Sequence, residues 1–299
     1  MALNYKFEVI NLEIMKTQTF NRPITEIIEK RSSIRSFKPN PLSQKDNENL
    51  LNYLNSAKGL FNVPIRFKIV DAKIQQLDSN LKLGTYGIIR GTSLFIVASV
   101  KNLENNMLEL GYILEKGVLY ATSLGVGTCW LGGTFKKGEF AKALELQDDE
   151  VLPIISPIGY PADSRRVFEN IMRLAVGSEK RKNWSDLFFK ENFNTALRES
   201  ECEGYADVLE MVRLAPSASN KQPWRILQTE TSFDFYLEHT KGYGNALGFD
   251  IQKVDIGIAL CHFELTAKEF GLKGEWRKIE VSTPVNSTLT EYIISWIKK

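Results

Sequence analysis

The hydrophobic pattern changes period several times along the chain, and each change marks an element. Short helices are predicted over Ile24 to Arg31 and over Ser43 to Ala57. Ser43 can cap the second, with Leu42 before it as a staple. Val63 to Val70 reads as a strand. The near-continuous apolar run from Thr92 to Ala98 reads as a buried strand. A long helix is predicted from Glu104 to Leu124, closed by Gly125. A shorter helix follows near Lys137 to Leu144, then a strand from Val151 to Gly159. Pro153 and Pro157 predict that this strand is short or lies at an edge. A polar, basic connector covers Asp163 to Asn183. Beyond it the pattern predicts helix, helix, strand, strand and long helix again, with Glu291 to Ile297 as a closing strand. The class implied is α+β, with helices packed on sheets.

The second run of elements repeats the first in sequence as well. At an offset of 146, the segment from Gly111 to Trp130 aligns with Gly257 to Trp276. Gly111/Gly257, Leu114/Leu260, Leu119/Leu265, Ala121/Ala267, Gly125/Gly271 and Trp130/Trp276 are identical. Upstream, Asn49 to Ala57 aligns with Asp207 to Ala215 at an offset of 158, and Asn62 with Asn220. Earlier still, Glu26 to Lys30 resembles Asp186 to Lys190. The change of offset makes the second half about twelve residues shorter in its middle. An ancient duplication accounts for matches kept in this order. It divides the chain into an extension (1–23), a first half (24–163), a connector (164–183) and a second half (184–299).

Composition narrows the function classes. Thirty-eight basic and thirty-six acidic residues leave a net charge of +2, which argues against wholesale nucleic-acid binding. Cys129, Cys202 and Cys261 are scattered and odd in number, as in a reducing compartment. With only His239 and His262 and no zinc-ligand spacing, no metal site is expected. No run of about 18 apolar residues suggests a membrane span, and Lys6 and Glu8 interrupt any signal-like core. Two glycosylation sequons, at Asn183 and Asn286, read as chance matches. A cytoplasmic protein is expected.

Three stretches carry candidate chemistry. Lys30 to Phe37 sets two arginines and three serines around one aliphatic residue. Arginine offers a fork to phosphate and serine a short hydroxyl contact; a solvated basic helix end is the competing reading. Ala215 to Trp224 sets small polar residues between two prolines, a rigid turn whose donors suit the edge of a flat heteroaromatic ring; a plain helix-terminal loop competes. Gly125 to Gly133 ends in a double glycine, which can bring backbone N–H groups close to a ligand; a tight turn between helices competes. It lacks the Gly-Lys-Ser/Thr ending of a phosphate loop.

Together and in this order, these stretches resemble the nitroreductase-like FMN-dependent oxidoreductase family. The family's Arg-x-Ser-x-Arg opening is matched by Arg31, Ser33 and Arg35, followed by Phe37. Its Pro-Ser-Ser-x-Asn-x-Gln-Pro-Trp pattern is matched from Pro216 to Trp224, with Ala218 in place of one serine. Its glycine turn is matched by Trp130-Leu131-Gly132-Gly133, and a late basic cluster by Lys180-Arg181-Lys182. Family chains are mostly single units that pair into homodimers. This chain carries two units in tandem and looks like the subgroup whose monomer imitates that dimer.

The resemblance implies a nitroreductase-like α+β fold, two pseudo-repeated halves packed as an internal pseudo-dimer. It implies that Arg31, Ser33, Lys180 and Arg181 hold the phosphate of FMN. Arg35 is expected near the N1–O2 edge, where reduction places negative charge. Gly132 and Gly133 are expected near N5, and Pro216, Ser217, Ala218 and Asn220 over the ring, with Tyr86 as a further loop contact. No protein nucleophile or acid–base pair is then needed, because the flavin supplies the chemistry. NADH or NADPH is the implied donor, and a nitroaromatic or quinone the implied acceptor. No Rossmann glycine fingerprint follows a strand. A non-catalytic flavin-binding or sensor protein is the alternative function. The reciprocal site would need Glu191, Phe193 and Thr195 as its clamp, Lys58 to Asn62 as its cover and Trp276 to Ile279 as its turn. None of these suits a phosphate or a close backbone approach. One flavin per chain, in a protein working as a monomer, is therefore expected.

Overall fold

Two glycines bring the long helices together. A Cβ on Gly111 would lie 2.1 Å from the carbonyl oxygen of Val254, and one on Gly257 would lie 2.1 Å from that of Leu108. At the 146 offset these two contacts exchange with each other, the signature of a pseudo-two-fold axis. The computed structural model describes residues 20–73, 89–133, 135, 137–163, 180–281 and 287–299. The extension's first nineteen residues, most of the connector and the Asn286 sequon thus lie outside the described residues.

The first half holds α1 (Ile24–Lys30), α2 (Gln44–Ser56), β1 (Ile65–Asp71), β2 (Leu94–Lys101), α3 (Asn106–Ser123), β3 (Gly127–Thr128), α4 (Lys137–Leu144) and β4 (Glu150–Gly159). The second holds β5 (Phe188–Lys190), β6 (Asn192–Ala196), α5 (Ala206–Arg213), β7 (Trp224–Gln228), β8 (Ser232–Glu238), α6 (Ile251–Glu269), β9 (Gly274–Arg277) and β10 (Thr290–Lys298). Local signals act as expected where the chain is amphipathic. Ser43 Oγ accepts the amide of Asp46 at 3.0 Å to cap α2. Gly125, at φ +76°, ends α3 while Val126 N–H bonds back to the Ala121 carbonyl at 2.9 Å.

The repeat is visible in the sheets. One sheet runs β1-β2-β4-β3; the other runs β6-β5-β7-β8-β10-β9. Removing β5 and β6 leaves β7-β8-β10-β9, the same order strand for strand. α2 corresponds to α5, and α3 to α6. One large core joins both halves through α3 and α6, and a smaller one lies against α4 around Phe95, Phe140 and Ile34.

Two expectations need correction. The resemblance of 186–190 to 26–30 does not extend to structure: Trp184–Asp186 is a single 3-10 turn and Phe188–Lys190 is strand β5. Phe188 is fully buried and β5 pairs in parallel with β7, so this segment extends the sheet instead of covering a helix as α1 does. Glu191, Phe193 and Thr195 consequently sit on the β5–β6 hairpin. Second, β4 is neither short nor at an edge. It has ten residues and lies between β2 and β3. Pro153 falls at the irregularity where the β2 register shifts between Ala98 and Val100, so its missing N–H breaks no regular pairing. The net shortening of the second half by about twelve residues combines a loss and a gain. The 229–231 turn replaces a connection of 72–93, while the link into the long helix grows from 102–105 to 239–250.

The α3–α6 crossing also buries polar groups. Glu115 and His262 are both 0% exposed, with Nε2 2.9 Å from Oε1. His262 Nδ1 lies 2.9 Å from the Met211 carbonyl oxygen, so Nδ1 carries the hydrogen of that bond. The other Glu115 oxygen accepts Trp130 Nε1–H at 2.9 Å. In the second half Trp276 Nε1–H bonds Glu264 at 2.8 Å, and Tyr112 donates to the same carboxylate across the crossing.

Two tests follow from these contacts. Gly111→Ala should destabilise by about 3 kcal/mol, because the neighbour is backbone and cannot rotate away. Gly138→Ala in α4, where nothing lies within 4 Å of the added methyl, should stabilise by roughly 0.4–1 kcal/mol. Urea unfolding of both variants reads this contrast; equal effects would contradict the crossing. Glu115→Ala should cost about 3–5 kcal/mol, since it strands His262 in the core. Glu115→Gln should cost clearly less in the same unfolding measurement.

Candidate functional site

The segment after α1 is extended, and its two-residue period sorts its side chains. Ser33 bridges Thr128 in parallel, and Ile34 N–H donates to the Thr128 carbonyl at 2.8 Å. Ile34, 4% exposed, enters the smaller core; Phe37 enters it too, three residues on and outside the two-residue period. Alternation then carries Arg31, Ser33 and Arg35 together on the other side. Gly127 lets this ribbon close on β3, since a Cβ there would meet the Ile34 side chain at 2.8 Å.

Opposite the ribbon stands the turn between α5 and β7. Ser219, Asn220 and Gln222 have φ of 48°, 55° and 48°. Left-handed backbone at non-glycine residues costs on the order of 1–3 kcal/mol each, and such strain concentrates at ligand sites. Hydrogen bonds hold it. Ser217 Oγ accepts Gln222 N–H at 2.9 Å, and Asp255 Oδ1 on α6 accepts Ala218 N–H at 2.9 Å. Asn220 Oδ1 accepts from Arg181 at 3.1 Å, and its amide donates to the Lys180 carbonyl at 3.0 Å. Arg181 also caps the end of α5, donating to the carbonyls of Leu214 at 2.8 Å and Ala215 at 2.7 Å. Burial, then repulsion from Arg31 and Arg213, brings its pKa down to about 10, so it stays charged at neutral pH.

Between ribbon and turn lies a cavity of about 790 Å³, of the size that small ligands and cofactors occupy. Ten of the twelve residues expected from sequence line it: Arg31, Ser33 and Arg35; Gly132 and Gly133; Arg181; and Pro216, Ser217, Ala218 and Asn220. Lys180 does not. Its side chain is exposed, and it serves the turn through its carbonyl. Tyr86 lies outside the described residues. Gly132 and Gly133 also meet a packing requirement. A Cβ on Gly132 would meet Ile251 at 2.7 Å and one on Gly133 would meet Leu247 at 2.6 Å, so these glycines admit side chains of the second half.

Two contributions were missed in the sequence. One is the 239–250 segment, which brings Tyr243 and Leu247 to the cavity. Tyr243 donates to Ser219 Oγ at 2.9 Å, and Lys137 Nζ donates to the Leu247 carbonyl at 3.0 Å, tying the segment to both rims. Its glycines gave a turn signal, but only the fold shows where it lands. The other is Asp255, 2% exposed, which lines the cavity from α6. It aligns with Glu109 at the 146 offset, two residues before the matched glycines, so the repeat itself could have shown it.

The pseudo-symmetric position is occupied differently. Glu109 accepts the amides of Leu60 at 2.8 Å, Phe61 at 2.9 Å and Val63 at 3.3 Å. A Cβ on Gly59 would run into that carboxylate. Lys58 to Asn62 is thus folded onto Glu109, and Trp276 and Arg277 belong to edge strand β9. The cavity's chemistry is asymmetric. Guanidinium groups and hydroxyls suit an anionic group, while Trp130, Ile154, Val254 and Ile258 offer apolar walls to a flat ring.

No helix among the described residues is long and apolar enough to cross a membrane, and no cluster of three or more metal-binding side chains occurs among them. No curated protein matches the chain. The fold resembles a nitroreductase-like protein of Thermotoga maritima, at 24% identity and a TM-score of 0.59 over 94% of this chain and 95% of that one. An FMN-dependent nitroreductase of Clostridium difficile matches 48% of this chain with 94% of its own, at 19% identity and a TM-score of 0.38. A nitroreductase family protein of Clostridium novyi matches 50% of this chain with 92% of its own, at 21% identity and a TM-score of 0.40. The family model described as "Putative TM nitroreductase" matches residues 23–267, and the chain belongs to that nitroreductase family.

Proposed function

We propose that this chain is an FMN-dependent oxidoreductase that passes electrons from NADH or NADPH to a nitroaromatic, quinone or similar acceptor, working in the cytoplasm as a monomer. The observation that carries this reading is the meeting of Arg31, Ser33 and Arg35 from one half with Pro216 to Asn220 from the other in one cavity. Bound FMN would supply reversible two-electron chemistry. The residues fit such a group on the structure's own terms. Arg31 and Ser33, with the charge of Arg181 close by, would hold a phosphate. The strained 217–222 turn and the apolar walls would hold a ring. Arg35 would sit where reduction builds negative charge, and a fixed cation there favours the reduced state.

The folded-down pseudo-symmetric position, where Glu109 already takes three amides, supports an occupancy of one per chain. The two halves also supply each other's interface, so no second chain is needed to complete the cavity.

Purified protein saturated with flavin and passed through gel filtration should retain one FMN per chain at monomer mass by light scattering. Chromatography of the released cofactor distinguishes FMN from FAD. Stoichiometric FAD, or two flavins per chain, would refute the corresponding part of this reading. Steady oxidation of NADH or NADPH with a quinone separates an enzyme from a flavin-binding module. Arg35→Ala should lower the flavin midpoint potential in a potentiometric titration, through loss of an interaction of about 1.5–3 kcal/mol. An unchanged midpoint with flavin bound would remove Arg35 from that edge.

A further inference from the structure

The two halves place a carboxyl at the same point of their long helices and use it differently. Glu109 reaches the 58–63 loop and commits both oxygens to backbone amides. Asp255, one methylene shorter, accepts a single amide, Ala218 N–H, at 2.9 Å. Leu60 and Ala218 correspond at the 158 offset, so this is the same bond seen in both copies. The second oxygen of Asp255 has no hydrogen-bond partner among the described residues, although the residue is 2% exposed and lines the cavity. Leaving a buried acceptor unpaired is costly, and more so if it is charged. A structural loop clip would not leave it so.

We propose that Asp255 is a ligand-binding residue of this cavity, acting as a neutral carboxyl that donates its Oδ2–H to an uncharged acceptor atom of the occupant. A ring carbonyl oxygen or ring nitrogen provides such an acceptor. The flavin ring has both, and a quinone has the first, so the inference rests on the proposed function and sharpens it. The two carboxyl oxygens of Asp255 have separate roles. Oδ1 fixes the cover turn through Ala218, and Oδ2 reads the ligand that the turn covers. One residue thereby couples the shape of the turn to the chemistry beneath it.

The surroundings agree. Burial, opposed by the Ala218 amide and reinforced by Asp250, pushes the Asp255 carboxyl well above the usual range. Glu29, Arg31, Arg35, Arg181 and Tyr243 share the cavity with it. Tyr243 is itself pushed up, by burial first and then, against its Ser219 bond, by Asp255. On α3, packed across α6, Glu109 is turned to the 60–63 amides and Glu115 to His262 and Trp130. On α5, Glu210 and Arg213 bond each other.

Asp255→Asn preserves both roles, with one atom to accept from Ala218 and an N–H to donate. Asp255→Ala loses both. Without ligand, wild type and Asp255→Asn should be separated by a pH-dependent gap in stability. Below the ordinary aspartate value of about 3.9 both states of the wild type hold the proton. Above it the unfolded chain ionises first, so wild type should lose stability relative to Asp255→Asn as pH rises, until the folded carboxyl ionises too. A gap that does not change with pH from 4 to 8 would overturn the neutral carboxyl.

The ligand side is read by titrating the three apoproteins with FMN, and by the KM of the reconstituted proteins for a benzoquinone. Asp255→Asn should stay within about threefold of wild type in both, and Asp255→Ala should lose about tenfold in one of them. The weakened arm identifies the occupant that Oδ2 contacts. Unchanged values for Asp255→Ala in both arms would overturn the proposal. So would wild-type FMN binding that tightens with rising pH when Asp255→Asn does not, because that is the behaviour of a charged acceptor. Failure of wild type to bind FMN at all would instead defeat the functional reading, and this inference with it. If Asp255→Ala does not fold, the pH comparison with Asp255→Asn still decides the matter.

Discussion

The close approach of α3 and α6 at Gly111 and Gly257 is the constraint on which the other features depend. With backbone against backbone there, the helix faces on either side are fixed within a fraction of an ångström. Tyr112 can then reach Glu264, and Glu115 can reach His262. Trp130 and Trp276, placed by the sharp ends of the same helices, can each donate to a buried carboxylate. Because Trp130 also lines the cavity, the helix crossing is connected to the site through one indole. A wider crossing would loosen the core and move the 130–133 turn away from Ile251 and Leu247.

Most of the fold was legible where a segment's own pattern decides its structure. The α2 cap at Ser43, the long helices and their terminal glycines, and the buried β2 run were all readable, because local sequence and tertiary demand agree there. The failures share a cause. Residues 186–190 and 26–30 look alike as short apolar stretches, yet one lies beside a free sheet edge and the other beside helices. Tertiary neighbours chose between strand and helix. Pro153 suggested an edge because a proline interrupts a ladder; the bulge that accommodates it depends on β2, far away in sequence. The site was legible where the motif spacing is itself structural, as in the alternation of Arg31, Ser33 and Arg35. It was not legible where the chain returns from a distance, as with Tyr243, Leu247 and Asp255.

Two pseudo-repeated halves within one chain can part company without losing their interface. Sequence identity persists where symmetry is still needed, at Gly111/Gly257 and Trp130/Trp276. Across the same crossing the polar pairs have diverged. Glu115 and His262 bond each other, while their pseudo-symmetric counterparts are Cys261 and Lys116. Burial pushes Cys261 well above the usual thiol range and lowers Lys116, which donates to the Lys58 carbonyl at 2.9 Å. One side of the axis keeps a paired, fully buried unit, and the other keeps a lysine that reaches out toward the 58–63 loop.

That divergence has a direction. In a symmetric pair every residue must serve two sites at once, so a change that improves one equally alters the other. Within a single chain, Glu109 could become a clip that ties down its loop while Asp255 kept an oxygen for the cavity. The connection that shrank to 229–231 and the one that grew into 239–250 follow the same division. The half with Arg31, Ser33 and Arg35 keeps a short entry to α3, and the half with the 216–220 turn has an additional wall, in which Tyr243 bonds Ser219 and Leu247 packs over Gly133 of the first half. The pseudo-two-fold axis therefore survives in the core as packing. At the cavity it sets the arginines and hydroxyls of one half against the 216–220 turn and the 239–250 segment of the other.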